Sequence, residues 1–294
     1  MTHDAPNLRS SPARRKHRTN TQMFALRDPP PTDVTVAEGR YRLLRVFKHD
    51  FFAATCLYES STADRTRRIV VKWYRTQAFC GFPLRWMGRV LCRHERQVYA
   101  ALTGVRGIPQ WIGSIDGTAL VVEYVDALPL DQLPSPPTAA FFGRLRKLFD
   151  DIHARGVAYC DANKRSNILA APDGRPFLVD FQISIRRRDR WPQPLKALAG
   201  ACTRYVQRSD LYHLYKHKRR LCPGALTAEE ERLSRRRGRL HSIHRKLTDP
   251  WRAIRRRFLA GQYAAGRLVS PTADAEDHAQ PEKATWRKEK KAMR

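Results

Sequence analysis

Residues 159–184 read YCDANKRSNILAAPDGRPFLVDFQIS, and the reading of this stretch decides the fold. Asn167-Ile168-Leu169 opens a strand, Pro172-Asp173-Gly174 is a turn signal, and Pro176-Phe177-Leu178-Val179-Asp180 returns as a second strand. A hairpin of that length brings Asn167 and Asp180 to one end, and Asp161 lies on the loop feeding that end. Three oxygen-bearing side chains then converge. Mg²⁺ takes hard oxygen ligands, usually one or two from protein and the rest from phosphate and water, which Asp180 with Asn167 would supply. A second carboxylate nearby that is not a ligand, Asp161, could accept the proton of an attacking hydroxyl. Asp and Asn are also ordinary turn formers, so the decision rests on the rest of the chain.

Upstream the chain is strand-rich. YRLLRVF (41–47), AATCLYE (53–59) and RIVVKWY (68–74) are short β-branched and aromatic runs between polar clusters. WMGRVLCRHERQVYAALTGV (86–105) has helical spacing, with Val90, Leu91, Val98 and Leu102 assigned to its apolar side. IPQWIGSIDG and TALVVEYVD follow as two strands joined by an Asp-Gly turn. Beyond PLDQLPSPP (129–137), Phe141, Phe142, Leu145, Leu148, Phe149 and Ile152 trace a helix stripe, and basic helical segments continue to about residue 268. This order predicts an α+β, bilobal chain. A small antiparallel-sheet N-lobe with one helix would span 38–126, and a mainly helical C-lobe with a basic extension 127–268. Residues 1–37 and 269–294, polar and without period, are predicted to be disordered.

The 294 residues carry 56 Lys plus Arg against 28 Asp plus Glu, a net charge of +28, which predicts an anionic partner. The six cysteines, at 56, 80, 92, 160, 202 and 222, form no C-x-x-C pair, which fits isolated reduced thiols better than a disulfide framework or zinc site. No run is long and apolar enough to span a bilayer, and the basic N-terminus has no apolar segment of a secretory signal behind it. A cytoplasmic protein is predicted.

The segment around Asp161, Asn167 and Asp180-Phe181 resembles the catalytic and metal loops of the protein-kinase-like phosphotransferases. The resemblance covers about residues 40–220. It implies that Lys72, in Val70-Val71-Lys72, holds the α/β-phosphates of ATP with Glu95 as its ion-pair partner. It implies that Glu123 to Val125 offer backbone hydrogen bonds to adenine, that Asp161 is the catalytic acid–base residue, and that Asn167 and Asp180 hold Mg²⁺. Asp210 would buttress the catalytic loop, and Lys164 would stand for the loop's phosphate-contacting lysine. The departures are equally specific. Tyr159-Cys160-Asp161 replaces His-Arg-Asp, Asn167 lies one residue further from Asp161 than usual, and Gln182 replaces the Gly of Asp-Phe-Gly. The Gly-rich loop is missing from Phe47-Lys48-His49-Asp50-Phe51-Phe52, which leaves Lys48 or His49 to reach the phosphates by side chain. The space from Asp180 to Asp210 is short for an activation segment. The pattern resembles the atypical branches, the RIO-type kinases and the bacterial lipopolysaccharide-core sugar kinases.

The reading is an ATP- and Mg²⁺-dependent kinase acting on a protein Ser/Thr or an anionic sugar hydroxyl, as a monomer. Two rivals stand beside it: a pseudokinase-type nucleotide-binding or scaffold module, and a basic RNA- or ribosome-associated protein. Arginine-rich stretches at 185–191, 215–221 and 232–259 carry most of the charge. The helix after Asp249-Pro250, with Trp251, Ile254 and Phe258 on one face, reads either as a packed C-lobe helix or as an interfacial helix at the inner membrane, its arginines on glycolipid or lipid phosphates. FPLRWMGRVL (82–91) mixes Trp and Met with Arg in a similar way.

Overall fold

The computed structural model describes residues 21–37, 39–61, 66–187, 192–235 and Thr272. Six strands form one antiparallel sheet: β1 (Asp33–Val36), β2 (Gly39–His49), β3 (Ala53–Ser61), β4 (Thr66–Tyr74), β5 (Trp111–Ile115) and β6 (Ala119–Glu123), in the order β1-β2-β3-β4-β6-β5. The helix α1 (Arg85–Ala101) lies between β4 and β5 in sequence. Alternation along the strands divides the sheet into two faces. Ile69 and Val71 of β4 join Val46, Cys56, Tyr58, Ala119 and Val121 in one cluster. Tyr74, Leu120 and Val122 face the other way, into the larger cluster shared with α1 and the helical half. Lys72, in step with Tyr74, faces that second side.

The helical half is built on α2 (Ala139–Ala154) and α3 (Leu195–Leu221), followed by α4 (Ala228–Arg235). Thr138 caps α2, its Oγ1 accepting from the Phe141 N–H at 3.3 Å. All six residues of the predicted apolar stripe from Phe141 to Ile152 are buried. α4 starts with a reciprocal cap: Thr227 Oγ1 accepts from the Glu230 N–H, and Glu230 Oε2 from the Thr227 N–H. Short strands complete the half. β7 (Leu128–Pro129), β9 (Ile168–Ala170) and β10 (Pro176–Leu178) form a three-stranded sheet, and β8 (Val157–Ala158) pairs with β11 (Ile185–Arg186). The hairpin predicted around Pro172-Asp173-Gly174 is the β9–β10 pair.

Three expectations need correction. The N-terminal segment from residue 21 is not disordered. Phe24 and Ala25 are buried, β1 pairs with β2, and the wholly buried Arg75 fixes the segment through bonds from its guanidinium to the carbonyls of Gln22 and Phe24. A charge taken out of water needs such partners, and backbone carbonyls supply them here. Residues 1–20 lie outside the described residues. Thr272, inside the predicted disordered tail, is buried and bonds His49 Nδ1 at 3.1 Å. Val90, assigned to the apolar side of α1, points outward. The basic extension at 236–268, with Trp251, Ile254 and Phe258, lies outside the described residues.

Candidate active site

Lys72 Nζ donates to Glu95 Oε2 at 2.8 Å and to Asp180 Oδ1 at 2.6 Å. The strand, the helix and the loop after β10 thus meet at one ammonium. Burial alone would lower the Lys72 pKa, but the two carboxylates lift it above its ordinary value and keep it charged. Burial likewise would raise the Asp180 carboxyl, yet Lys72, with Lys164 and Lys48 further off, holds it down to about 2. Asp180 is therefore ionised at neutral pH. It has φ of 63°, an uncommon region for a residue with a side chain.

Glu95 does more than hold the lysine. Its Oε2 also accepts from the Tyr74 hydroxyl, and its Oε1 accepts from the Phe181 N–H at 3.0 Å. One carboxylate, buried to 1% exposure, therefore fixes both the cation and the loop carrying Asp180. His94, its neighbour on α1, bonds the Ser184 carbonyl through Nε2 at 2.9 Å. Phe181 is fully buried between Tyr99 and Tyr159.

The loop bearing Asp161 is held from below. Asp210, on α3, accepts from the backbone N–H groups of Tyr159 (2.8 Å) and Cys160 (2.9 Å). His153 Nε2 lies 3.1 Å from the same carboxylate. Those bonds hold Cys160 at φ of 69°, the turn from which Asp161 reaches Asn167 and Lys164. Asp161 Oδ2 accepts from Asn167 Nδ2 at 2.9 Å and pairs with Lys164 Nζ at 2.6 Å. Burial raises the Asp161 pKa, and Lys164 opposes the rise. The Val179 N–H donates to the Asn167 carbonyl at 3.1 Å, so Asn167 and Asp180 sit on adjoining backbone, as the hairpin reading predicts. The Tyr159 hydroxyl donates to the Val179 carbonyl, closing the same junction.

The six-stranded antiparallel sheet with α1, and the helical half that follows it, give the α+β order of elements that the sequence predicts. No protein-family model matches the chain, and no curated protein matches it. Among solved structures, the chain is similar to the Rio2 kinase from Chaetomium thermophilum, at 18% identity and a TM-score of 0.44 over 64% of this chain and 61% of that one. It is also similar to that organism's Rio2 kinase in an ADP/Mg²⁺-phosphoaspartate complex, at 16% identity and a TM-score of 0.43 over 65% and 62%. The chain thus spans a little over three-fifths of those structures.

The remaining predicted residues fall as follows. Lys48 is exposed, pairs with Asp50 at 2.8 Å, and its charge is felt at both Asp161 and Asp180. His49 does not face the cleft. It is buried, with Nε2 accepting from the Leu26 N–H, so it serves the N-lobe interior. The Glu123 N–H is committed to the Gln110 carbonyl at 2.9 Å, whereas Val125 has no backbone hydrogen bond among the described residues. Of the two, Val125 is the one whose N–H is left without a backbone partner among the described residues.

Several site residues carry no motif of their own: Tyr74, His94 and Asp50. Asp50 caps the turn between β2 and β3, its Oδ1 accepting from the N–H groups of Phe52 (2.8 Å) and Ala53 (3.0 Å). A carboxylate thus occupies amides of the turn where a Gly-rich loop would present its backbone. Asp-x-x pairing is a general turn signal and could have been read from Asp50-Phe51-Phe52-Ala53. The buried His217 of α3 supports the loop bearing Asp161 through Nε2 to the Ala162 carbonyl at 2.9 Å. The six cysteines are all free. No cluster of three His, Cys, Asp or Glu side chains suited to a metal occurs among the described residues.

Proposed function

We propose that this cleft binds ATP with Mg²⁺ and transfers the γ-phosphoryl group to a hydroxyl acceptor. One observation carries the reading: Lys72, Glu95 and Asp180 meet within hydrogen-bond distance at the end where Asn167 fastens Asp161. The donor set suits Mg²⁺. Asp180 is ionised, and Asn167, whose amide nitrogen is spent on Asp161 and whose Oδ1 accepts from the Ser166 hydroxyl at 3.5 Å, has a second lone pair on that oxygen for a ligand. When bound, the metal would neutralise phosphate charge and align the γ-phosphoryl group.

The protein's own groups do the rest. Lys72, fixed by Glu95, holds the α/β-phosphates, and Lys48 and Lys164 extend positive charge along the chain of phosphates. Asp161 orients the acceptor hydroxyl and takes its proton while the acceptor oxygen bonds to the γ-phosphorus. The bond from that phosphorus to the β-bridging oxygen breaks, and ADP leaves. Asp210 and His217 hold the loop in place. Only a short segment separates Asp180 from α3 (Leu195–Leu221), which disfavours an extended peptide groove. Lys164, Arg165, Lys216 and Arg220 surround the loop and favour an anionic acceptor, with a glycolipid sugar preferred over a protein Ser/Thr. The rival reading, a nucleotide-binding scaffold, draws its support from the Asp50-capped turn.

The test is transfer of label from [γ-³²P]ATP into a cell-envelope extract, fractionated into glycolipid, protein and RNA. Asp161→Asn and Asp180→Asn are expected to lower incorporation by about a thousandfold or more, a loss of the size seen when an acid–base group and charge alignment go together. Equal incorporation by all three proteins overturns catalysis. Stabilisation by Mg-ATP without any transfer favours the scaffold.

A further inference from the structure

The outward face of α1 is strongly apolar for a surface. Trp86 is 63% exposed, Val90 57%, and Phe82, in the turn entering the helix, 72%. Trp86 and Val90, four residues apart on α1, share one face, and Phe82 lies in the turn just before them. Arg85, Arg89, Arg93 and Arg96 run beside it, all exposed, and none forms an ion pair among the described residues. The sequence holds no carboxylate between Asp64 and Glu95, and Glu95 is turned to the buried side with Gly88, Cys92, Val98 and Tyr99. The face is therefore cationic and apolar at once, with no acid to balance it.

We propose that α1 and its entering turn form a peripheral docking surface for an anionic lipid bilayer. Phe82, Trp86 and Val90 enter the boundary between headgroups and acyl chains, and the four arginines meet lipid phosphates. Large exposed apolar side chains flanked by arginine are what an interfacial helix requires. Trp belongs at that depth because its ring is apolar and its N–H polar. A single-stranded nucleic acid would use the arginines and the aromatic rings, but Val90 gives it nothing. No helix among the described residues is long and apolar enough to cross a membrane, so the contact is superficial. Glu95 lies on the opposite side of the same helix, so docking leaves the Lys72–Glu95 pair intact. The inference does not depend on phosphotransfer.

The experiment is flotation of the full chain with phosphatidylcholine vesicles, with and without phosphatidylglycerol. Binding is expected only with the anionic lipid. Arg85→Gln/Arg89→Gln/Arg93→Gln should weaken partitioning on the order of a hundredfold, at roughly fivefold per arginine. Arg40→Gln/Arg42→Gln/Arg67→Gln removes the same charge from the exposed sheet and should change it about tenfold less. Phe82→Ser/Trp86→Ser should also release the protein, and circular dichroism checks that these exposed changes leave it folded. Trp86→Phe should keep binding but lose most of the tryptophan quenching by brominated lipid. Equal losses from the two arginine triples, or unchanged quenching in Trp86→Phe, overturn the proposal. So does retention by RNA or by a protein partner with none by vesicles.

Discussion

Lowering the pH should destabilise the protein through one histidine beneath the loop bearing Asp161. His217 is 2% exposed. Burial pushes its pKa down to about 4, aided by Lys216, Arg165 and Arg220 and opposed by the bond to the Ala162 carbonyl. The unfolded chain therefore takes up the proton at higher pH than the folded one. The stabilising difference is complete above the unfolded pKa of 6.5 and is lost as pH falls to about 4. At about 1.4 kcal/mol per unit, that shift corresponds to about 3 kcal/mol as a ceiling. His217→Gln keeps a donor for the Ala162 carbonyl and has no proton to gain. Urea unfolding of both proteins, followed by circular dichroism from pH 7 to pH 4, gives the comparison. Carboxylates such as Asp180 and Glu230 titrate in both and cancel in the difference. The wild type should lose about 3 kcal/mol more than the variant across this range. Parallel pH profiles would refute the assignment.

Asp210→Ala leaves the buried Tyr159 and Cys160 N–H groups without acceptors. At about 1–3 kcal/mol for each of the two orphaned groups, urea denaturation should show a loss of about 2–6 kcal/mol. Gly88→Ala would place a methyl 2.1 Å from the Arg75 carbonyl oxygen. The forced shift of α1 should cost about 1–3 kcal/mol and lower the melting temperature by several degrees, at about 2–4 °C per kcal/mol, readable by calorimetry. Glu95→Gln removes the charge that holds Lys72 and weakens the acceptor for Phe181 N–H. Thermal stabilisation by Mg-ATP should shrink markedly, and an unchanged shift would show that Lys72 needs no such partner.

The strand pattern and the order of Lys72, Glu95, Asp161, Asn167, Asp180 and Asp210 were readable because each sits on an element with a clear period or turn signal. Alternation in β4 alone turns Lys72 to the side of Tyr74 and the larger core. The packed N-terminal segment was not readable, since backbone carbonyls gathered around Arg75 hold it and leave no mark in side-chain composition. Lys48 and His49 were ambiguous for a different reason. Simple alternation from buried Val46 would turn Lys48 inward, but an irregularity between Val46 and Lys48 resets the register and buries His49 instead. Val90 is misleading on α1, because apolar helical spacing points to a core-facing stripe and here the outer face is apolar as well.

The bond between Thr272 and His49 carries a practical consequence. A residue far along the chain, beyond the helices, returns to the base of the β2–β3 turn that roofs the cleft. Thr272 thus adds a side-chain contact to the buried His49 of the sheet. Trimming the protein before residue 270, a natural choice on composition, would cut that tether and loosen the roof. Proteins made for structural or enzymatic work should keep their C-terminal portion, and an affinity tag belongs at the other end.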